Sequence, residues 1–367
     1  MTDAKLPIRR RVTLTGISSR AWEHPADRGA LTALRELRGF DDVIKSLSAV
    51  WAERAIRVEF LGSAIRVDHR QYQRIHRIFA EAAASLDVDD LPELYVRNDR
   101  SLNAMCIGMA KPFIVVNSGA IELLDEDELR ALLGHELGHL LSGHALYRTL
   151  AHILTNLALR LSWVPIGSLV LRAIVVGLQE WWRKAELSAD RAGLLAGQDP
   201  AASQRLLMKL AGGGDLSEVD TTAFLEQAGE YERSGDLRES LIKLQLVVAS
   251  THPLPVARAV ELRRWIDDGA YQQIIGGSYP RRADDARASV SAEARAAAAS
   301  YRESFARSED PLFSLLRRIG EGAGGVGEWV GNRADRVRRW ATSDAPYTEP
   351  DAEDRPPAAP ANGPAAS

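Results

Sequence analysis

Five consecutive residues constrain this chain more than its composition does: His135-Glu136-Leu137-Gly138-His139, set in a stretch whose apolar residues recur at helical spacing. Leu129, Leu132, Leu133 and Leu140 mark one stripe, and Leu137 and Leu141 widen it. Asp125 stands where an N-cap belongs and Glu128 follows three residues on, a capping-box pattern that predicts a helix over 126 to 143. On that helix His135 and His139 lie one turn apart on one face, so both imidazoles can meet one divalent cation. Glu136 is then placed to act as a base toward water at that cation. Gly134 and Gly138 each cost a helix about 1 kcal/mol relative to alanine, which predicts the close approach of another element. An ordinary core helix would have to bury Glu136 without a partner, at a cost of several kcal/mol, so the metal reading is preferred.

Two histidines do not complete a catalytic metal site, which takes three protein ligands and keeps one position open. A third histidine six residues after the second, with a glycine between, is ruled out because Ser142 and Ala145 occupy those positions. His144 falls about half a turn from His135 on continued helix geometry and reads as a helix C-terminal residue facing the last carbonyls. A glutamate from a second helix is the alternative, and Glu186 and Asp190 offer it with i, i+4 spacing. Glu186 would ligate while Asp190 holds a ligating imidazole by its other nitrogen. Alone, this stretch reads more simply as a solvated helix face with Glu186 paired to Arg183 or Lys184. Joined to the upstream histidine pair, the ligand reading prevails.

The combination of His135-Glu136-Leu137-Gly138-His139, Glu186-Leu187-Ser188-Ala189-Asp190-Arg191 and Thr251-His252-Pro253 resembles the HtpX-like and CAAX prenyl endopeptidase group of gluzincin zinc metallopeptidases. The similarity spans residues 90 to 265. It implies zinc ligands His135, His139 and Glu186, one Zn2+ per subunit, and Glu136 as the catalytic base. It also implies a His-Pro pair followed by an arginine, matched by His252 and Arg258. His252 is thereby a candidate oxyanion stabiliser, although Thr251 and Pro253 equally mark a helix start.

Short strand-like runs over 93 to 96, 105 to 109 and 113 to 116 precede the metal-binding helix, with Ala110, Lys111 and Pro112 turning between the last two. An amphipathic helix is expected over 68 to 86, with Tyr72, Ile75, Ile78, Phe79 and Ala82 on its apolar side. The fold class is therefore α+β and mainly α: a zincin-type catalytic domain with a small sheet, followed by a helical subdomain. The resemblance implies that an edge strand near Asn103 and Ala104 borders the cleft, where strand addition would align an extended peptide.

Residues 145 to 183 decide the membrane question. A single crossing would put Glu186 on the side opposite the histidines, so only a hairpin or no crossing is allowed. Pro165 and Gly167 divide the segment into runs of about 17 residues, roughly 25 Å of helix against a ~30 Å bilayer core. Arg148, His152, Asn156 and Arg160 form a polar stripe, and Arg172 interrupts the second run. A helical hairpin over the active site is expected, while Trp163, Trp181 and Trp182 offer an interfacial alternative.

The chain divides into an N-terminal extension (1–60), a catalytic domain (61–270), a helical C-terminal extension (271–345) and a disordered tail (346–367). Helical periodicity continues over 237 to 248 and 253 to 266, and an alanine-rich charged helix is expected over 288 to 307. The arginine-rich stretch 312 to 340 is suited to docking on the core, a partner or an anionic membrane surface. With 46 basic and 50 acidic residues the net charge is −4, which points to no nucleic-acid partner. Cys106 is the single cysteine, so a disulfide framework or thiolate metal cluster is excluded, in keeping with a reducing compartment. Arg9, Arg10 and Arg11 are followed by no apolar run, which argues against a secretory signal.

The expected protein is a zinc-dependent metalloendopeptidase acting on protein or peptide substrates, cytoplasmic, with membrane contact at most peripheral and its oligomeric state open. Quality control of damaged proteins is the cellular role the resemblance implies. The rival readings are a non-catalytic zinc-binding holdase or adaptor, and a membrane-embedded protease.

Overall fold

Apolar period sorts the chain into helices and strands, and a computed structural model of the protein describes the outcome for residues 11–35, 51–151, 167–233 and 254–285. Helices α1 (Pro25–Arg35) and α2 (Trp51–Ser63) lead into strand β1 (Ala64–Val67) and helix α3 (Gln73–Ser85). Strands β2 (Leu94–Arg97), β3 (Ala104–Ile107) and β4 (Phe113–Asn117) follow. Helices α4 (Ser118–Leu123) and α5 (Glu126–Leu141) come next, then a helical run over 144–151. Helices α6 (Gly167–Gly197), α7 (Pro200–Gly212), α8 (Thr221–Arg233), α9 (Pro255–Asp267) and α10 (Ala270–Ile275) complete the described elements. This is the expected α+β, mainly helical, zincin-like arrangement.

The sheet has the order β1-β2-β4-β3; β2 and β4 run parallel, and the outer pairings are antiparallel. Every residue of the inner strand β4 is buried, which is why it reads as an unbroken apolar run. Side-chain alternation then splits the sheet between two cores. Leu94, Val96, Cys106, Ile114 and Val116 face the main helical core, whereas Tyr95, Phe113 and Val115 pack with Phe60 of α2 on the other face. Phe60 and Tyr95 both meet Phe113 edge-on at 5.5 Å.

The three expected strands are present. β1 escaped the sequence reading because it follows α2 directly and buries only Val67, so it shows no apolar alternation. The helix expected over 68 to 86 begins only at Gln73. Asp68 Oδ1 accepts the backbone N–H groups of Arg70 and Gln71 at 2.7 and 3.1 Å, a local turn that competes with helix. Tyr72 enters the helix with φ 54° and is exposed rather than on its apolar side; Ile75, Ile78, Phe79 and Ala82 are buried as expected.

At α5 the capping box is complete: Asp125 Oδ1 accepts the Glu128 N–H at 2.8 Å, and Glu128 Oε2 accepts the Asp125 N–H at 3.0 Å. The helix ends at Leu141 rather than 143, because Gly143 adopts φ 71° and redirects the chain. Helix α6 packs along α5 at very short range. A Cβ at Gly134 would fall 2.3 Å from Ala196 Cβ, and one at Gly138 would fall 2.5 Å from Ala192 Cβ. The expected close approach is the seam between these two helices.

Residues 11–35, expected within the N-terminal extension, pack into the same core. Leu14, Ile17 and Trp22 are buried in it, Leu14 N–H donates to Ser85 O at 2.9 Å, and Ile17 bridges to Arg281. Among the described residues no helix is long and apolar enough to cross a membrane. His152, Asn156, Arg160, Trp163, His252 and the helix expected over 237 to 248 lie outside the described residues. So do the expected helix 288–307, the stretch 312–340 and the tail 346–367.

Candidate metal centre

Helix α5 carries His135, Glu136 and His139, and α6 carries Glu186 and Asp190. The glycine–alanine seam brings the helices close enough for their side chains to converge, and all five residues are buried. His135 Nε2 and His139 Nε2 are 3.1 Å apart. Glu186 Oε1 lies 3.3 Å from His139 Nε2, and Oε2 lies 3.6 Å from His135 Nε2. One ligand atom from each of the three residues falls within 4.8 Å of the others.

This donor set fits a small divalent cation. Tetrahedral ligands at 2.0–2.2 Å from zinc stand about 3.3–3.6 Å from one another, close to the 3.1–3.6 Å observed. The chemistry also suits it. Burial drives the His139 imidazole well below its ordinary pKa, against the pull of its hydrogen bond with Glu186, so the ring is neutral and able to ligate.

Outside the three donors, the two imidazoles are held differently. His135 Nδ1 meets Asp190 Oδ1 at 3.0 Å. Arg258 of α9 then grips Asp190 through Nε at 2.7 Å and Nη2 at 2.6 Å, and reaches Glu186 Oε2 through Nη1 at 2.8 Å. Burial alone would raise the Asp190 pKa; the Arg258 charge and the hydrogen bonds from Arg258 and His135 outweigh it and hold the carboxylate below its ordinary range. Burial likewise opposes the Arg258 charge, but Asp190 and Glu186 more than offset it and raise its pKa. The pairing of Glu186 with Arg258 displaces the surface reading in which Arg183 or Lys184 was its partner.

His139 Nδ1 meets His144 Nδ1 at 3.0 Å, and His144 Nε2 meets Asp27 Oδ2 at 3.0 Å. Asp27 comes from α1 and also accepts from Trp181 Nε1 at 2.8 Å and Ser188 Oγ at 2.6 Å. Burial opposes ionisation of Asp27, but His144, Ser188 and Trp181 hold its pKa below the ordinary value. His144 is therefore a buried partner of a site residue, not a cap on the last carbonyls of α5. The sequence estimate continued the helix through Gly143, whose left-handed conformation instead folds the imidazole back.

Trp182 stacks on His139 with ring centres 4.5 Å apart and planes 23° apart, and Arg148 lies 4.4 Å over the Trp182 ring. Trp181 and Trp182 are thus buried in the walls of the centre. Arg148 Nη1 also lies 3.8 Å from Glu136 Oε2, so this member of the expected polar stripe faces the centre. β3 is an edge strand with Ala104 at its start, preceded by Asn103, and α5 packs against it. Gly108, just past β3, donates its N–H to Thr149 Oγ1 at 2.9 Å, tying this edge to the helical run after α5. Asn103 O accepts the Asn117 N–H at 3.0 Å, and both Asn103 and Ala104 side chains are buried.

Comparisons with known proteins follow the same residues. The family model for peptidase family M48 matches residues 69–266. The chain is 36% identical over 260 residues to the plastoglobule-localized metallopeptidase 48, chloroplastic, of Arabidopsis thaliana, a match covering 69% of this chain and 74% of that one. It is 24% identical over 208 residues to a protease HtpX homolog of Streptococcus uberis, covering 47% of this chain and 67% of the relative. An HtpX homolog of Helicobacter pylori is 33% identical over 88 residues, which is 28% of that protein. No solved structure matches the chain.

Proposed function

The chain belongs to peptidase family M48 and is a metallopeptidase, and from that premise we propose a zinc-dependent endopeptidase with His135, His139 and Glu186 as ligands and Glu136 as general base. The observation that carries this reading is the convergence of those three donors within 4.8 Å, with a buried carboxylate next in sequence to the first of them. Bound zinc would supply Lewis acidity, polarising the scissile carbonyl and making water acidic near neutral pH.

The chain's own groups do the rest. Glu136 takes the proton of the attacking water on a carboxylate oxygen and delivers it to the leaving amine. Arg148 Nη1 stands 3.8 Å from Glu136 Oε2, beside the carboxylate that takes the proton. Asp190 and Arg258 hold His135 and Glu186 in place, so the ligand geometry needs no reorganisation during turnover. The edge strand beginning at Ala104 aligns an extended peptide by strand addition, with Asn103 at its entrance. His252 remains the proposed oxyanion partner. The unit carrying this activity is the expected catalytic domain 61–270 together with the packed segment 11–35.

The test is Glu136→Gln in the full chain. It keeps stoichiometric zinc and the wild-type fold but loses hydrolysis of casein or a peptide library, because an amide cannot accept the water proton. Retained hydrolysis in that variant would remove Glu136 from the mechanism.

On the same reading the protein acts in the cytoplasm on damaged or misfolded chains, with membrane contact limited to charge-dependent attachment. Cell fractionation checks the second part: recovery in the supernatant, or release by high salt as charges are screened, is expected. A pellet released only by detergent would favour the membrane-embedded alternative.

A further inference from the structure

We propose that Asp27 and His144 form a hydrogen-bond relay that locks His139 in the tautomer whose Nε2 lone pair faces the metal site, which makes the N-terminal helix α1 part of the metal centre. The inference rests on His139 being a ligand, as read above, and adds what holds it in the ligating form.

The polarity of the relay follows from its far end. Trp181 Nε1–H can only donate, and it donates to Asp27 Oδ1 at 2.8 Å. Ser188 Oγ accepts the backbone N–H of His24 at 2.9 Å, so its own hydrogen is directed to Asp27 Oδ2 at 2.6 Å. Both carboxylate oxygens are thereby acceptors, and His144 Nε2, 3.0 Å from Oδ2, is the N–H donor. A neutral imidazole carries one N–H. His144 Nδ1 is then a lone pair, and across 3.0 Å it accepts from His139 Nδ1–H. With its single proton on Nδ1, His139 keeps a lone pair on Nε2, the atom 3.1 Å from His135 Nε2 and 3.3 Å from Glu186 Oε1.

The surroundings keep the relay dry. Asp27, His139 and His144 are all buried. Trp181 stands edge-on to His144 at 5.4 Å, and Trp182 covers His139. The relay thus does for His139 through two residues what Asp190 does directly for His135, and its terminal carboxylate comes from a segment more than a hundred residues upstream in sequence.

The experiment measures zinc affinity of the full chain by chelator competition, alongside thermal denaturation of the metal-free protein. His144→Leu removes the acceptor and is expected to lower zinc affinity roughly 10- to 100-fold. His144→Gln, with a carbonyl to accept from His139 and an amide to donate to Asp27, is expected to recover much of that loss. Unchanged zinc affinity in His144→Leu would overturn the relay, and so would failure of His144→Gln to bind better than His144→Leu. If His144→Leu does not fold, nitrogen-15 spectra of the metal-free wild type decide. Protons on His139 Nδ1 and His144 Nε2 are expected; a proton on His139 Nε2, as a doubly protonated His144 would impose, overturns the proposal. Loss of zinc binding in Glu186→Ala keeps the underlying metal-site reading standing in either case, and its retention would sink that reading separately.

Discussion

The two halves of the metal centre are built in opposite ways. On the His135 side the supporting carboxylate, Asp190, sits one turn from the proposed ligand Glu186 on α6, and one guanidinium, Arg258, clamps both. On the His139 side the support is a histidine beyond a glycine break and an aspartate from an N-terminal helix. In the first half the carboxylate pair is a local construction, set by helix periodicity, while His135 and Arg258 reach it from α5 and α9. The second is assembled from three separate stretches of chain and exists only once they pack. The former concentrates charge, with two buried carboxylates on one cation, whereas the latter spreads a single carboxylate over three donors, Trp181, Ser188 and His144. The two sides should therefore fail differently.

The largest difference is expected at Arg258. Replacing it by methionine leaves Asp190 and Glu186 buried together without their shared cation, which typically costs about 3–5 kcal/mol. Denaturation of the metal-free protein is the measurement, and a loss below 1 kcal/mol on that scale would mean the two carboxylates are held by something else. Added zinc should restore part of the loss, because it neutralises Glu186 and binds only the folded chain.

Asp190→Ala comes next and sharpens the comparison directly. Removing the carboxylate on a ligand imidazole costs roughly 10- to 100-fold in metal affinity. The loss should equal or exceed that in the His144 variants, since Asp190 acts on His135 without an intermediary. A clearly smaller loss would make the long relay the dominant support of the two.

The smallest expected effect tests what the two halves share. Gly138→Ala places a methyl 2.5 Å from Ala192 Cβ, and overpacking of this kind costs about 1–3 kcal/mol, offset in part by the better helix propensity of alanine. Because the seam sets the distance between α5 and α6, the variant should weaken zinc binding on both sides at once. Lower thermal stability with wild-type zinc affinity would show that the centre tolerates a shift of the helices.

Much of the site was legible because its parts obey short-range rules. The capping box at Asp125 and Glu128, the histidine pair one turn apart and the Glu186–Asp190 pair are all spacings within a single helix. The glycines at 134 and 138 announced a close neighbour through their cost to the helix. They did not identify the neighbour, which proved to be Ala192 and Ala196. Where local turn chemistry intervened, the reading drifted: Asp68 delays α3, and Gly143 stops α5 and redirects His144.

His144 and Asp27 mark the boundary most clearly. Each is an ordinary residue in its own stretch, one near a helix end and one in a short N-terminal helix, and no spacing rule links positions separated by more than a hundred residues. Sequence alone determined the helix that carries the histidine pair, the face the two share and the Glu186–Asp190 pair, because hydrogen bonding along a helix fixes relations over a few residues. Tertiary structure alone decided which buried groups complete the hydrogen bonds of His139, of Asp190 and of Trp181. Those partners are chosen by which surfaces exclude water together, and burial leaves each polar group no alternative to the neighbour that packing supplies.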